Sequence, residues 1–325
     1  MKWNIKAMIM LMMVSTMMVM SSTNWMSMWI GMEINMISFV PIMKMNYKES
    51  SGSTMIYFMA QSMGSSLFLY SLLSMWFQSP SIHSSSMLVL MMASMMIKMG
   101  LPPMHMWMIT VLNNLTWMKC FMLMTWQKIA PLTVTSKLAA LINETFTLAL
   151  MAAIIGAIGG INQTSIRKIM GYSSVSHMGW MLTLTSNNTK WMAYLLLYAM
   201  LTFTLCYMMN SENMFYLNQI NMINKMNKMA FMINMLSMGG LPPMIGFLPK
   251  WIAIQTMINN NLTVIASIMI MSSLITLMFY MNMIMPTMST SIVTNKIKIM
   301  PEKNYSWMII VSLMTPLALT MNILI

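Results

Sequence analysis

Long apolar runs separated by short polar gaps make up almost the whole chain. Eleven runs are long enough, at roughly 20 mostly apolar residues, to cross a bilayer as helices. They span 3–20, 25–43, 55–77, 87–112, 117–134, 138–159, 171–185, 191–209, 229–257, 262–285 and 305–324. The runs are continuous rather than alternating, and no gap between them could hold a soluble domain. The pattern therefore predicts one all-α polytopic membrane domain over residues 1–325.

Two of the runs contain the same internal break. The residues Gly-Leu-Pro-Pro-Met stand at 100–104 in the fourth run and again at 240–244 in the ninth. Proline lacks a backbone donor and clashes with the preceding turn, so a helix must open or kink there. The residues that we expect to form these broken elements are Gly100, Pro102, Pro103, Gly240, Pro242 and Pro243.

The positions of the two breaks predict an inverted repeat. They lie five runs apart, an odd number of crossings, so the two broken helices run through the membrane in opposite directions. We therefore expect two five-helix units of opposite orientation, about 1–135 and 138–285, with one extra helix at about 305–324.

Composition supports the membrane assignment. The chain is 58% hydrophobic and 7% charged, whereas soluble domains carry about 25% charged residues. The formal charge of +12 would suggest nucleic acid as the partner of a soluble protein. Here the basic residues fall mostly in short gaps, where membrane topology and anionic lipids such as cardiolipin explain them, and we expect no nucleic-acid binding.

The distribution of basic residues predicts the orientation. If the eleven helices alternate, eleven basic residues share the side of the N-terminus and two, Lys137 and Lys190, lie on the other. The positive-inside rule then places the N-terminus on the matrix or cytoplasmic side and the C-terminus opposite.

The 58 methionines have two interpretations. A methionine-clustered copper or redox site is one, but the methionines are spread throughout the chain. The second interpretation, which we favour, is a coding bias typical of animal mitochondria. Methionine can replace leucine or isoleucine with little loss of stability. Cys120 and Cys206 lack metal or disulfide spacing, and we expect no metal and no cofactor in this chain.

Four charges near the middle of apolar runs are the candidate functional residues: Glu33, Lys98, Lys128 and Lys250. Each costs roughly 2.5–3.5 kcal/mol at a helix centre, so we expect them to be paired or hydrated. A carboxylate beside a buried amine changes its proton affinity, which is the basis of a proton relay. The alternative is that Glu33 and one lysine only hold helices together.

The histidines and the remaining acid carry weaker signals. His105 follows the first break and could pass protons to Lys98 or Lys128, or could be a satisfied polar residue. For His177 we favour a structural role, and His83 falls in a gap. Glu144 is interpreted as an interface ion pair with Lys137.

Six stretches make the sequence resemble the antiporter-like subunits of respiratory complex I, in their animal form. They are 29–36, 98–107, 125–131, 162–174, 177–180 and 240–251. The resemblance implies a proton-translocating subunit of NADH:ubiquinone reductase in the mitochondrial inner membrane, with the N-terminus in the matrix and the C-terminus on the intermembrane-space side. It also implies that Glu33, Lys98, Lys128 and Lys250 form a central hydrophilic axis.

Further expectations follow from that resemblance. NAD, FMN, iron–sulfur clusters and ubiquinone would bind other subunits, and other membrane subunits of complex I would be the partners. Bacterial members have fourteen helices, three more than are counted here. Members often carry a proline and an acid or amide after the position of Trp107, where this chain has Met-Ile-Thr-Val at 108–111, so a proton exit there lacks support. The alternatives are a free-standing cation/proton antiporter of related fold and a structural subunit without proton flux.

Overall fold

The apolar runs fold as α-helices. A computed structural model describes residues 2–44, 50–77, 84–139, 141, 145–186, 190–222, 225–242 and 244–289. In this part of the chain the helices are α1 (Lys2–Ser21), α2 (Trp25–Lys44), α3 (Ser50–Phe77), α4 (Ser84–Met99), α5 (Met106–Asn114), α6 (Trp117–Met124), α7 (Trp126–Ala139), α8 (Thr145–Gly160), α9 (Ile166–Thr183), α10 (Lys190–Ser211), α11 (Lys225–Gly239), α12 (Phe247–Asn259) and α13 (Thr263–Ser289). A short 3₁₀ segment, Leu217–Met222, precedes α11. The all-helical class is thus confirmed, while the predicted helix at 305–324 lies outside the described residues.

Apolar surface on the outside of the bundle is what a lipid environment requires. By length and composition alone, three helical segments within the described ranges could cross a membrane: Trp25–Lys44, Lys190–Ser211 and Thr263–Met285. Large apolar side chains such as Met63, Val264 and Met278 are more than half exposed. A soluble protein rarely exposes so much apolar surface.

Both predicted breaks are present and share one backbone motif. α4 ends at Met99 and α11 at Gly239, and the next glycine, Gly100 or Gly240, has a φ of +67° or +77°. At each break the glycine N–H donates to the carbonyl three residues back and the following leucine N–H to the carbonyl five residues back. This is the Schellman motif, which needs the left-handed conformation that glycine adopts without strain. Pro243 of the second break lies outside the described residues.

A third break was not predicted. The fifth run was expected to form one helix over 117–134, but α6 ends at Met124 and α7 begins at Trp126. Thr125 departs from α-helical geometry in its φ of −118°, and its hydroxyl and its N–H both donate to the carbonyl of Phe121. A threonine hydroxyl can compete for backbone acceptors in this way and distort a helix.

The predicted start of the sixth helix at residue 138 was wrong. α7 continues to Ala139, and α8 begins at Thr145. Residues 135–137 are polar and were expected to form a gap, but the hydroxyls of Thr133, Thr135 and Ser136 donate to carbonyls three residues back in α7. These polar side chains are satisfied inside a helix, so they do not end it.

Hydrogen bonds between helix termini show which helix ends lie at the same end of the bundle. Trp117, at the start of α6, donates to the carbonyl of Met214 after α10, and Arg167, at the start of α9, donates to the carbonyl of Leu115 after α5. We call this the basic end, because helix termini here carry Lys44, Lys119, Arg167, Lys168 and Lys228. At the opposite end, Lys137 donates to the carbonyl of Ser22. The α4–α5 pair therefore runs toward the basic end, and α11–α12 runs away from it.

Candidate functional site

Three buried lysines lie within one turn of helix breaks in the interior. Lys98 is in the last turn of α4, Lys128 in the first turn of α7 and Lys250 in the first turn of α12, and all three are buried. From the sequence, Lys98 and Lys250 were expected beside the two predicted breaks, and Lys128 in a continuous run. The structure places each beside an interruption, where unpaired helix carbonyls can accept hydrogen bonds from an ammonium group.

Lys98 is held against a carboxylate from a neighbouring helix. Its Nζ lies 3.7 Å from Oε1 of Glu33 on α2, and the side chains are 3% and 21% exposed. At this separation an effective dielectric constant of about 20 gives an attraction of about 4 kcal/mol. That is close to the insertion cost of one of the two charges, so the pair contributes little net stability. The consequence of the pair is that two ionisable groups are held side by side in the interior of the bundle.

Helix α3 fixes the rest of Lys98. Gln61 donates from Nε2 to the backbone carbonyl of Lys98 over 3.0 Å. A β-carbon at Gly64 would lie 2.8 Å from Cγ of Lys98, so only glycine lets α3 approach the lysine this closely. Helix α3 therefore holds the backbone and the inner part of the Lys98 side chain in place.

A small cavity with polar groups in its wall lies beside Lys98. Asn35, Tyr57, Gln61 and Gln127 line it together with Lys98, and it offers about 10 Å³ of space for water centres, roughly what one water requires. Tyr57 donates to Oε1 of Gln127 over 3.2 Å, and Gln127 donates from Nε2 to Oδ1 of Asn35 over 3.1 Å. Gln127 directly precedes Lys128, so this network reaches the turn of α7 that carries the second lysine.

His177 on α9 lies next to Lys128. Nζ of Lys128 donates to the carbonyl of Ser174, one turn before His177, over 3.1 Å, and lies 6.0 Å from the ring centroid of Tyr198. The His177 ring is 4.9 Å from that of Tyr198, and its Nδ1 is 2.9 Å from Oη of Tyr194. Helix α9 also packs against α12, the helix that carries Lys250. A structural role was favoured for this histidine from the sequence, whereas the structure places it beside the surroundings of Lys128.

Lys250 uses the second break directly. Its Nζ donates to the carbonyl of Gly239, the last residue of α11, over 2.8 Å. A β-carbon on Gly240 would lie 2.8 Å from Cδ and 2.9 Å from Nζ of this lysine. The glycine thus ends α11, exposes its last carbonyl and leaves room for the amine.

The other candidate residues do not contact the groups around Lys98, Lys128 and Lys250 in the described part of the structure. His105 is partly exposed at the tip of the first break, with Nδ1 3.3 Å from the carbonyl of Pro103 and its ring 6.1 Å from that of Tyr172. We find no hydrogen bond from His105 to Lys98 or Lys128 in the described part of the structure. His83 and Glu144 fall outside that part. No group of three His, Cys, Asp or Glu side chains within it is arranged to hold a metal ion.

The interior thus contains a series of groups that can take up and release protons: Glu33 and Lys98, then Lys128, His177 and Lys250. Polar amides and hydroxyls lie between the first pair and Lys128, and a tyrosine pair surrounds His177. Buried ionisable residues in membrane proteins typically mark ion or proton pathways. The arrangement is suited to moving protons through the interior of the bundle.

Comparisons with known proteins agree with this geometry. Residues 22–276 match the family model described as NADH:quinone oxidoreductase/Mrp antiporter, transmembrane. NADH-ubiquinone oxidoreductase chain 2 of Locusta migratoria is 40% identical over 280 residues, covering 83% of this chain and 81% of that protein. The protein of the same name from Anopheles gambiae is 39% identical over 277 residues, covering 82% and 81%.

Solved structures share the fold. A chain of respiratory complex I from Thermus thermophilus superposes with a TM-score of 0.81 at 17% identity, covering 97% of this chain and 77% of that one. A chain of the Mrp complex from Dietzia sp. superposes with a TM-score of 0.74 at 14% identity, covering 85% and 59%. At these identities the likeness concerns the fold alone.

Proposed function

Because this chain belongs to the NADH:quinone oxidoreductase/Mrp antiporter transmembrane family, we propose that it is a core membrane subunit of proton-pumping NADH:ubiquinone oxidoreductase. In this role it moves protons while the oxidation of NADH takes place in other subunits. The observation that carries the proposal is the buried series Glu33, Lys98, Lys128, His177 and Lys250.

The two broken helices support the finer architecture of an inverted repeat. Both breaks are Schellman motifs built on the same residues, and a buried lysine lies beside each. The α4–α5 pair runs toward the basic end and α11–α12 runs away from it. Two repeats, about 1–135 and 138–285, followed by a helix at about 305–324, account for eleven membrane crossings, with the pairs α4–α5, α6–α7 and α11–α12 each forming one.

The relay operates through charge. When Glu33 is ionised, it stabilises the protonated amine of Lys98, 3.7 Å away. A change of charge on Glu33 therefore releases or captures a proton at Lys98, and the cavity beside Asn35 and Gln127 leads that proton toward Lys128. Each transfer alters the field at the next group, so the groups load and unload in sequence.

The charged and apolar surfaces of the chain indicate its orientation in the membrane, its lipid contacts and its neighbours. Positive-inside asymmetry places the basic end and the N-terminus in the mitochondrial matrix, and the cations at that end attract anionic lipids such as cardiolipin. NAD, FMN, iron–sulfur clusters and ubiquinone bind other subunits, and neighbouring membrane subunits of the complex cover part of the apolar exterior.

Replacing Glu33 with glutamine tests this proposal. The change removes the carboxylate charge with little change in shape and leaves the Lys98 ammonium without its counter-charge. We expect fewer protons moved per NADH oxidised by the assembled enzyme in proteoliposomes. Glu33→Asp keeps the charge and should retain most of the pumping. Equal proton counts in all three proteins would contradict a relay at this pair.

A native gel separates this function from that of a free-standing cation/proton antiporter. The chain, detected with an antibody, should comigrate with NADH dehydrogenase activity in mild detergent. Migration apart from that activity would favour the antiporter.

A further inference from the structure

Helix α11 carries two asparagines on its buried face. Asn227 and Asn234 are seven residues apart, which places them on the same side of a helix, and each is 1% exposed. Met226 and Met229 are exposed on the outer side. The buried stripe of a helix is normally apolar, so two amides in this stripe require a physical reason.

The amide group of Asn234 is buried without a hydrogen-bond partner in the described part of the chain. Neither Oδ1 nor Nδ2 makes a hydrogen bond to a protein group there. A buried polar atom without a partner costs about 1–3 kcal/mol, and such atoms in native proteins are usually paired with protein or water. Its own backbone carbonyl is satisfied, because Ser237 donates to it over 2.6 Å. The amide is therefore a donor and acceptor suited to water.

Asn234 lies between Lys250 and the basic end. It precedes Gly239, whose carbonyl binds Nζ of Lys250, by five residues, or about 7.5 Å along the helix axis. One or two waters span such a distance. In the other direction Asn227 donates from Nδ2 to Oε1 of Glu212 at the end of α10, over 3.1 Å.

We infer that Asn234 binds water and forms, together with Asn227 and Glu212, a route by which protons from the basic end reach Lys250. The inference rests on the proposed relay role of Lys250. Glu212 takes up the proton at the membrane surface, and neutral amides hold the water that passes it on. Phe231, fully buried between the two asparagines on the same helix face, closes the route in the conformation described.

An experimental map of the intact complex at a resolution that shows ordered waters is the first test. We expect water density within about 2.7–3.2 Å of Oδ1 or Nδ2 of Asn234, the ordinary range of hydrogen bonds. A map in which both amide atoms are paired with protein groups, and no water lies beside them, would overturn the inference.

Matched variants provide the functional test. Asn234→Leu keeps the approximate volume and removes the water-binding atoms, so we expect a lower number of protons moved per NADH oxidised at an unchanged amount of assembled complex. Asn234→Ser restores a hydroxyl and leaves space for water, and it should recover much of that ratio. Ser272→Ala is the control, because this buried hydroxyl donates to a carbonyl of its own helix, α13.

Lys250→Met, measured beside these variants, distinguishes the two proposals. A reduced proton count in Lys250→Met with a normal count in Asn234→Leu would refute the entry route and leave the relay standing. A normal count in Lys250→Met would refute the relay itself. Reduction in both, with recovery in Asn234→Ser, supports the route.

Discussion

Lys128→Met is expected to lower the number of protons moved per NADH and to slow coupled NADH oxidation by about tenfold or more, since a positioned proton-transfer group typically contributes 100-fold or more to a rate. The amine is buried, donates to the Ser174 carbonyl and lies beside the His177–Tyr198 ring pair. Methionine has a similar length but cannot carry a proton. Proton uptake and NADH oxidation, followed together in proteoliposomes, measure the effect.

The fold should tolerate this substitution. In the described part of the chain, the main polar contact of the Lys128 side chain is one backbone carbonyl, and replacing a buried charge by an apolar group of similar volume is often neutral or stabilising. Lys190→Met is the matched control, because the same exchange is made at an exposed position at the start of α10. An unchanged proton count in Lys128→Met would leave a scaffolding role for this lysine.

Gly246→Ala is expected to prevent stable assembly of the chain. A β-carbon at Gly246 would lie 1.7 Å from the backbone carbonyl oxygen of Ser237, and a backbone atom cannot rotate away as a side chain can. The start of α12 would have to separate from the last turn of α11. Overpacking typically costs about 1–3 kcal/mol and occasionally more, and a clash with backbone belongs at the upper end. The shift would also displace Lys250 from Gly239.

Gly52→Ala provides the comparison for Gly246→Ala. No atom lies within 4 Å of a β-carbon at Gly52 in the first turn of α3, and alanine favours helix by about 1 kcal/mol over glycine. We expect normal amounts of complex on a native gel for Gly52→Ala and little or none for Gly246→Ala. Equal amounts would contradict the close packing of α11 on α12.

The sequence predicted the features that depend on local chemistry. The repeated Gly-Leu-Pro-Pro-Met predicted both breaks, because proline and glycine act on the backbone wherever they stand. The isolated charges in apolar runs predicted the candidate relay residues, and the structure pairs Glu33 with Lys98. The membrane class and the family were also confirmed.

Features that depend on tertiary contacts between helices far apart in the sequence could not be predicted. Asn35, Tyr57 and Gln127 are single polar residues in three separate runs, and only packing brings them together. The position of His177 beside the surroundings of Lys128 likewise arises from the contacts of α9. Its sole sequence signal was an ionisable residue in an apolar run, the same signal that had identified the lysines.

The break at Thr125 and the end of α7 were missed for a different reason. Hydroxyl side chains satisfy themselves on nearby carbonyls, and depending on the local backbone they either interrupt a helix or continue it. Thr125 interrupts one, whereas Thr135 and Ser136 continue another. Residue type alone does not distinguish these outcomes.

The hydrogen bond from Lys250 to Gly239 joins two half-helices across a hinge. The donor belongs to α12 and the acceptor to α11, so a movement of one half-helix against the other stretches or shortens the bond. In the proposed relay, such a movement would change the proton affinity of the Lys250 amine, and loss of its proton would weaken the link between the two halves. Conformation and protonation would then be coupled at this point, and a structural change passed on by a neighbouring subunit would drive proton transfer there.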